Sequence, residues 1–286
     1  VTEPSLLLLI PAYNEEHRIG PVLRDYAGYF QKEYRGAFQI VVVLNGCFDN
    51  TLDVVQRVAA EFPCIRAREF KDPIGKGGAL IEGLKEALET DAELIGYVDA
   101  DGATSPRSFH ELVRAMPGAD CVIGSRWLPG SVLHQAQTRK RQFASRFFHL
   151  IVQTLFGMNI RDTQCGAKVM RRKAIETIHP SLRIADMAFD INLLFSLKRA
   201  GFRTLELPTE WTDKVGSKVT LGRTSLVMFL STIRIRLIYT PIYRWLRPLR
   251  PLEGWIYKKL KQPQPLPDAA HREDRGSASP DSRPRV

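Results

Sequence analysis

Two carboxylates one residue apart follow a short apolar run: Leu94–Val98 leads directly into Asp99-Ala100-Asp101. At a strand end, such a pair can hold a hard divalent cation from one side and leave the other side open to phosphate oxygens. A polar turn has the same composition, so the pair alone is a weak signal. Gly75-Lys76-Gly77-Gly78 precedes a helical stretch. Its glycines would let backbone N–H groups approach an anion, the helix start favours negative charge, and Lys76 adds a point charge. A flexible turn is the competing reading, and the Walker A spacing G-x-x-x-x-G-K-[ST] is absent. Arg126 ends a further apolar run at Gly124-Ser125-Arg126, where it can reach a phosphate or simply lie exposed.

The elements that must position these residues alternate. Apolar, β-branched runs predict strands over Leu6–Pro11, Gln39–Leu44, Ile65–Phe70, Leu94–Val98 and Cys121–Gly124. Between them, helices are expected over 16–34, 49–62, 77–89 and 105–116, the last with Ser105 as N-cap and Pro106 at its first position. Further on, 138–156 and 189–199 read as helices, and 164–170 and 203–207 as strands. The fold class is therefore α/β, a doubly wound and mainly parallel sheet. Such sheets bind ligands at the carboxyl ends of their strands. The polar clusters Asn14-Glu15-Glu16, Asn45-Gly46, Asp99-Ala100-Asp101 and Ser125-Arg126 all fall there.

Composition narrows the class. In 286 residues, 44% apolar and 25% charged, there is ample core for a globular protein, which excludes wholesale disorder. No repeat supports a solenoid or collagen reading. Cys47, Cys64, Cys121 and Cys165 form no C-x-x-C pair and read as reduced thiols in a cytosol-facing protein. The run Leu6–Ile10 is too short for a secretory leader, so none is expected.

Charge placement points to a phosphate-bearing partner. Of the net +10, residues 222–261 contribute nine basic side chains against the single acid Glu253. A second acid-free stretch, 126–148, carries Arg126, Arg139, Lys140, Arg141 and Arg146. A nucleotide, an anionic membrane surface or nucleic acid would each suit such charge, and a solvated surface is the bland alternative. Ser225–Tyr239 is apolar nearly all round before Pro241. Its helix would be about 22 Å long, short of the roughly 30 Å hydrocarbon core, so no transmembrane span is expected. It reads as an interfacial helix with Tyr239, Tyr243, Trp245 and Trp255 at headgroup level, against the alternative of a core helix. The Pro/Ser/Arg-rich residues 262–286 read as a disordered tail.

Taken in order, the motifs are specific. Pro11-Ala12-Tyr13-Asn14-Glu15-Glu16, Asn45-Gly46 with Asp49 and Thr51, Gly75–Gly78, Asp99-x-Asp101 and Gly124-Ser125-Arg126 resemble the family 2 glycosyltransferases of the GT-A fold. The resemblance runs from about Leu6 to Tyr243. Asp162-Thr163-Gln164-Cys165-Gly166-x-Lys168, Phe189-Asp190 and Trp211-x-x-x-x-Gly216-Ser217-Lys218-Val219 are similar to the dolichyl- or polyprenyl-phosphate sugar synthases, nearer their glucosyl branch than their mannosyl branch.

The resemblance implies a catalytic domain over 1–220, basic amphipathic membrane-interface helices over 221–261, and the tail. It implies Mg²⁺ or Mn²⁺ held by Asp99 and Asp101. Pro11, Tyr13, Glu15 and Asn45 would contact the nucleoside, with Lys76 near the diphosphate. Asp162, Gln164 and Asp190 would line the sugar pocket, and Arg126, Arg139, Ser217 and Lys218 would meet donor or acceptor phosphates. Asp190 is also the base candidate for a hydroxyl acceptor. Where the family usually has Asp-Asp-Gly-Ser, this chain has Leu44-Asn45-Gly46-Cys47, so a carboxylate near the base is missing. Ala103 and Thr104 stand where a further metal ligand would be expected.

The implied reaction is inverting transfer of a hexose, glucose first, from UDP-glucose or else GDP-mannose to a polyprenyl phosphate. It would take place on an anionic, cytoplasmic membrane face where the protein is peripheral. A family 2 enzyme with a soluble acceptor is the nearer rival. Nucleic-acid binding is the remote one and is not expected, because it has no use for Asp99 and Asp101. Lys218 sits in a polar loop segment, and losing a charge-assisted bond to phosphate costs about 10- to 100-fold. Lys218→Ala is expected to raise the substrate requirement or slow turnover to that extent at unchanged thermal stability. Unaltered kinetics toward both substrates would make it an ordinary solvated lysine.

Overall fold

The computed structural model describes residues 3–133, 139–212 and 221–240, without the side chains of 139–147 and 221–227. The chain runs β1 (Leu6–Ala12), α1 (Ile19–Glu33), β2 (Phe38–Asn45), α2 (Thr51–Glu61), β3 (Ile65–Phe70), α3 (Gly75–Ala87), β4 (Leu94–Tyr97), α4 (Pro106–Arg114) and β5 (Cys121–Ser125). It continues through β6 (Val132–Leu133), α5 (Arg139–Phe156), β7 (Lys168–Arg171), α6 (Arg172–Ile178), α7 (Phe189–Arg199), β8 (Thr204–Pro208), β9 (Glu210–Trp211) and α8 (Leu221–Ile238). All belong to one compact unit spanning Val1–Tyr243.

Seven strands form the main sheet in the order β3-β2-β1-β4-β7-β5-β8. Its interior strands are nearly continuous apolar runs, as expected where helices cover both faces. Alternation divides them between two cores. Leu6, Leu8, Ile10, Ile40 and Val42 pack with α1, α2 and α4, while Leu7, Leu9, Val41 and Val43 pack with α3 and α7. The open edge at β3 carries Arg66 and Arg68, both close to Glu86 of α3.

Pairing is parallel except at β7, which lies antiparallel between β4 and β5. The strand expected over 164–170 is thus shorter, and residues 162–167 become the connection entering it. Tyr97 stands opposite Lys168, and Gly124 N–H bonds to Ala167 O at 3.0 Å. The connection is thereby fixed at the carboxyl ends of β4 and β5, beside Asp99. A small parallel pair, β6 with β9, and a bridge from Thr104 to Trp211 close over the same end.

The membrane-interface expectation for α8 meets a different environment in its described half. Ile235 is fully buried in the α3–α7 core. Ser231 Oγ donates to Asp186 Oδ2 at 2.5 Å, and Tyr239 OH is bonded to Asn192 Nδ2 at 2.9 Å and Ser196 Oγ at 2.6 Å. Tyr239 is therefore not a headgroup anchor, because its hydroxyl is satisfied inside the protein. Phe229 remains exposed on this helix. Among the described residues, no helix is long and apolar enough to cross a membrane.

Ser105 caps α4 as its sequence implies, its side chain accepting from Ser108 N at 3.2 Å with Pro106 next in the chain. Ser105→Ala is expected to lower unfolding free energy by about 1 kcal/mol, read from urea denaturation. An unchanged midpoint would show that the cap contributes nothing here.

Candidate active site

Asp99 and Asp101 follow β4 on the loop that leads to α4. Asp101 Oδ1 accepts from Ala103 N at 2.9 Å, which sets one side of the carboxylate. Burial and the neighbouring Asp99 charge together push its carboxyl above the ordinary aspartate value. Asp99 has its Oδ2 backed against Gly166, where a Cβ would overlap the carboxylate. Glycine at 166 was legible in the sequence only as a motif letter; its purpose is to let the β7 connection lie on Asp99.

Lys76 points from the start of α3 at the same group, its Nζ 2.5 Å from Asp99 Oδ1. Burial works against its ammonium, yet the carboxylates of Asp99, Asp190 and Asp101 outweigh it and hold the pKa above the usual lysine range. Much of the surrounding glycine loop is turned toward its own chain. Ile74 N and Gly75 N donate to Asn45 Oδ1 at 2.7 and 3.1 Å, and Gly78 N donates to Ala185 O at 3.1 Å. A Cβ on Gly77 would run into Ile184 O and Phe189 Cβ. These glycines serve close approach to the chain's own backbone, and those amides are already spent. Asn45, expected beside the base, has its carbonyl oxygen committed to that loop.

Arg126 and Asp162 form a bidentate pair, Nε to Oδ2 at 2.7 Å and Nη2 to Oδ1 at 2.9 Å, with Arg126 N–H adding a third bond at 3.0 Å. The guanidinium also lies 5.0 Å from the centroid of the Trp211 ring. Arg126 is therefore held by the protein, and is not the free phosphate clamp expected from its position. Burial lifts the Asp162 carboxyl, but Arg126 overrides it and keeps the pKa below the ordinary value. Around this pair, Ser125 Oγ, Gln164 Nε2 and Trp211 Nε1 are buried polar atoms without a hydrogen-bond partner among the described residues. Such orphaned groups are costly in a finished core and suit a polar ligand. The Gln164 side-chain amide therefore has donors to spare at this corner.

Asp190 opens α7 and is 3% exposed. Its Oδ1 accepts from Tyr97 OH and from Lys168 Nζ, the latter at 2.5 Å. Lys168 is wholly buried and also bonds Cys165 O at 2.6 Å. Burial would raise the Asp190 carboxyl, but Lys168 and Lys76 bring it below the usual range. The residue expected to line the sugar or act as a base is instead half of a buried ion pair. The sequence showed Lys168 as part of a motif, but not that it faces Asp190.

Nearer the first strand, Glu15 is paired with Arg18 at 2.6 Å, and its N–H donates to Thr51 Oγ1 at 2.8 Å. Tyr13 meets Phe48 edge-on at 6.1 Å, and Pro11 lies within β1. Ser217 and Lys218 lie outside the described residues, as does the Arg139 side chain. The chain reaches the first two from Thr212, whose N–H bonds Ala103 O at 3.0 Å, two residues beyond Asp101.

The donor set suits a hard cation. Two adjacent carboxylates repel one another, as the raised Asp101 pKa records, and a divalent ion would relieve them. Among the described residues no cluster of three His, Cys, Asp or Glu side chains exists, so phosphate and water oxygens would complete the coordination.

Solved structures share this architecture. Glucosyl-3-phosphoglycerate synthase from Mycobacterium tuberculosis, determined with Mn²⁺, UDP and glucosyl-3-phosphoglycerate, superposes with a TM-score of 0.61 at 17% identity. The match covers 82% of this chain and 80% of that one. The fold is that of the GT-A glycosyltransferases. In sequence, the glycosyl transferase family 2 profile matches residues 8–178, and the chain belongs to that family. Dolichyl-phosphate beta-glucosyltransferase of Dictyostelium discoideum is 31% identical across 82% of this chain and 74% of its own length. The Saccharomyces cerevisiae protein of the same name is 30% identical across 85% and 77%. Glycosyltransferase AglD of Haloferax volcanii is 34% identical across 79% of this chain, which spans 36% of that longer protein.

A side chain at 166 must displace Asp99. Gly166→Ala is expected to cut transferase turnover about 100-fold, the scale on which a 1 Å misplacement acts. Its far-ultraviolet circular dichroism should stay native. Gly118→Ala, where an added Cβ meets nothing within 4 Å, is the control. Full activity in Gly166→Ala would show that the close approach to Asp99 is dispensable.

Proposed function

We propose that this protein transfers glucose from UDP-glucose to a dolichyl or other polyprenyl phosphate, with inversion. The single observation that carries this reading is its similarity, along most of both chains, to proteins named dolichyl-phosphate beta-glucosyltransferase. Mg²⁺ or Mn²⁺ on Asp99 and Asp101 would neutralise charge developing on the departing nucleoside diphosphate. Lys76 and Lys218 would add positive charge at the same phosphates, while Gln164 would orient the sugar from the Arg126–Asp162 corner.

The charge pairing supports an anionic acceptor. Asp162 and Asp190 are both ion-paired and held below the ordinary aspartate pKa, which makes each a poor base toward a hydroxyl. A lipid phosphate is already ionised and needs no base to attack the anomeric carbon. The protein would work as a peripheral enzyme on the cytosolic face of a membrane, aided by the basic residues of 222–261, with 1–220 as the catalytic part. A soluble anionic acceptor is the second reading. It is favoured by the core packing of the second half of α8 and by the fold shared with a synthase solved with phosphoglyceric acid.

Product analysis separates the two. Purified protein with Mn²⁺ is incubated with UDP-glucose or GDP-mannose and either a short polyprenyl phosphate or 3-phosphoglycerate. Glucosylated lipid phosphate from UDP-glucose is expected; product only on the soluble acid would replace the reading. On the membrane side, each basic residue near an anionic surface contributes about 1 kcal/mol, screened by salt. Binding to anionic vesicles should therefore weaken at high salt. Phe229→Ser with Leu230→Ser should reduce it at least tenfold even at low salt. Wild-type protein that ignores such vesicles would point to the soluble acceptor.

A further inference from the structure

The two oxygens of Asp99 have different neighbours. Its Oδ2 is backed against Gly166, and its Oδ1 carries the Lys76 ammonium at 2.5 Å. A divalent ion binds carboxylate oxygen at about 2.0–2.1 Å for Mg²⁺ and tolerates no second cation in the same direction. An ammonium 2.5 Å from Oδ1 therefore competes with a metal for that oxygen. The backbone beneath Lys76 has little freedom to retreat, since Ile74, Gly75 and Gly78 are tied to Asn45 and Ala185. Its flexible four-carbon stem can swing instead. A nucleoside diphosphate brings the anionic oxygens that an expelled ammonium needs; Asp190, in the same field, is already held by Lys168 and Tyr97.

We propose that Lys76 is a placeholder for the metal: it occupies Asp99 Oδ1 in the donor-free enzyme and moves to the diphosphate when cation and nucleotide bind together. This rests on the reading of Asp99 and Asp101 as the metal pair of a nucleotide-sugar enzyme. The metal alone then binds weakly, because it must break an ion pair and leave a partly buried ammonium without its partner. Nucleotide relieves that cost, so the two ligands bind cooperatively beyond their direct contact. By linkage, metal strengthens nucleotide binding by the same factor.

The test is Mn²⁺ affinity, read from free-ion electron paramagnetic resonance, for wild type and Lys76→Met, each with and without saturating UDP. Lys76→Gln, which keeps polarity, is carried in parallel against a folding defect in the Met variant. Both substitutions are expected to tighten Mn²⁺ binding without UDP by about 5- to 100-fold, the usual range of coupling between sites. With UDP present the change should be much smaller, so the enhancement by UDP shrinks. Unchanged or weaker Mn²⁺ binding without UDP would overturn the proposal. So would equal tightening with and without UDP, which is what a cation acting only through its field would produce. If neither wild type nor variants bind Mn²⁺ even with UDP, the metal reading of Asp99 and Asp101 itself falls, and the placeholder with it.

Discussion

Carboxylates crowded at one end of a sheet repel one another, and much of this structure is arranged to answer that repulsion. Asp162 is countered by Arg126, Asp190 by Lys168 and Asp99 by Lys76. Among the described residues Asp101 has only a backbone amide and more distant cations, and its carboxyl is pushed upward. Each partner arrives on a different element: Arg126 from the end of β5, Lys168 from β7, Lys76 from α3. Breaking a buried pair from one side costs about 3–5 kcal/mol, because the remaining charge has nowhere to go. The tertiary arrangement is thus tied to the site's charge balance, and the site is in turn prepared for one additional cation.

The order of elements was legible because buried parallel strands and amphipathic helices leave strong patterns. Leu6–Ala12, Phe38–Asn45 and Ile65–Phe70 stand within a residue or so of their expected bounds. The direction of β7 was not legible, since a strand of four residues, Lys168–Arg171, reads the same either way. Pairs as short as β6 and β9, and the seven-residue α6, offer too few residues to show a period. The Asp99-x-Asp101 pair could be found because it ends a strand. What could not be found is how the surrounding groups are used. A glycine-rich loop looks alike whether it admits a ligand's phosphate or the backbone of Ile184 and Ala185. Asp190 and Lys168 are twenty-two positions apart, and their contact is made by the sheet.

Asn45 illustrates how a departure from a family pattern can be absorbed. An amide replaces the usual carboxylate, and its oxygen accepts from two successive amides ahead of α3. The loop that carries Lys76 is thereby held to the end of β2. A neutral acceptor does this without adding another negative charge to an end of the sheet that already holds Asp99, Asp101, Asp162 and Asp190 among its carboxylates.

The place of β7 also governs the order in which the molecule can be assembled. Among the described residues, strands β1 to β4 pair only among themselves until β7 arrives, and β5 pairs with β7 and β8. A chain emerging from synthesis can build the first four strands and α1 to α3 early, with Asp99 and Asp101 already near their final positions. The remaining part joins only when residues 168–171 insert between two waiting strands. Until then the edges of β4 and β5 are both open, a state in which sheets are prone to pair with the wrong chain. Asp162, Lys168 and Asp190 all lie in or around that segment, so the ion pairs of the site and the closure of the sheet depend on the same insertion.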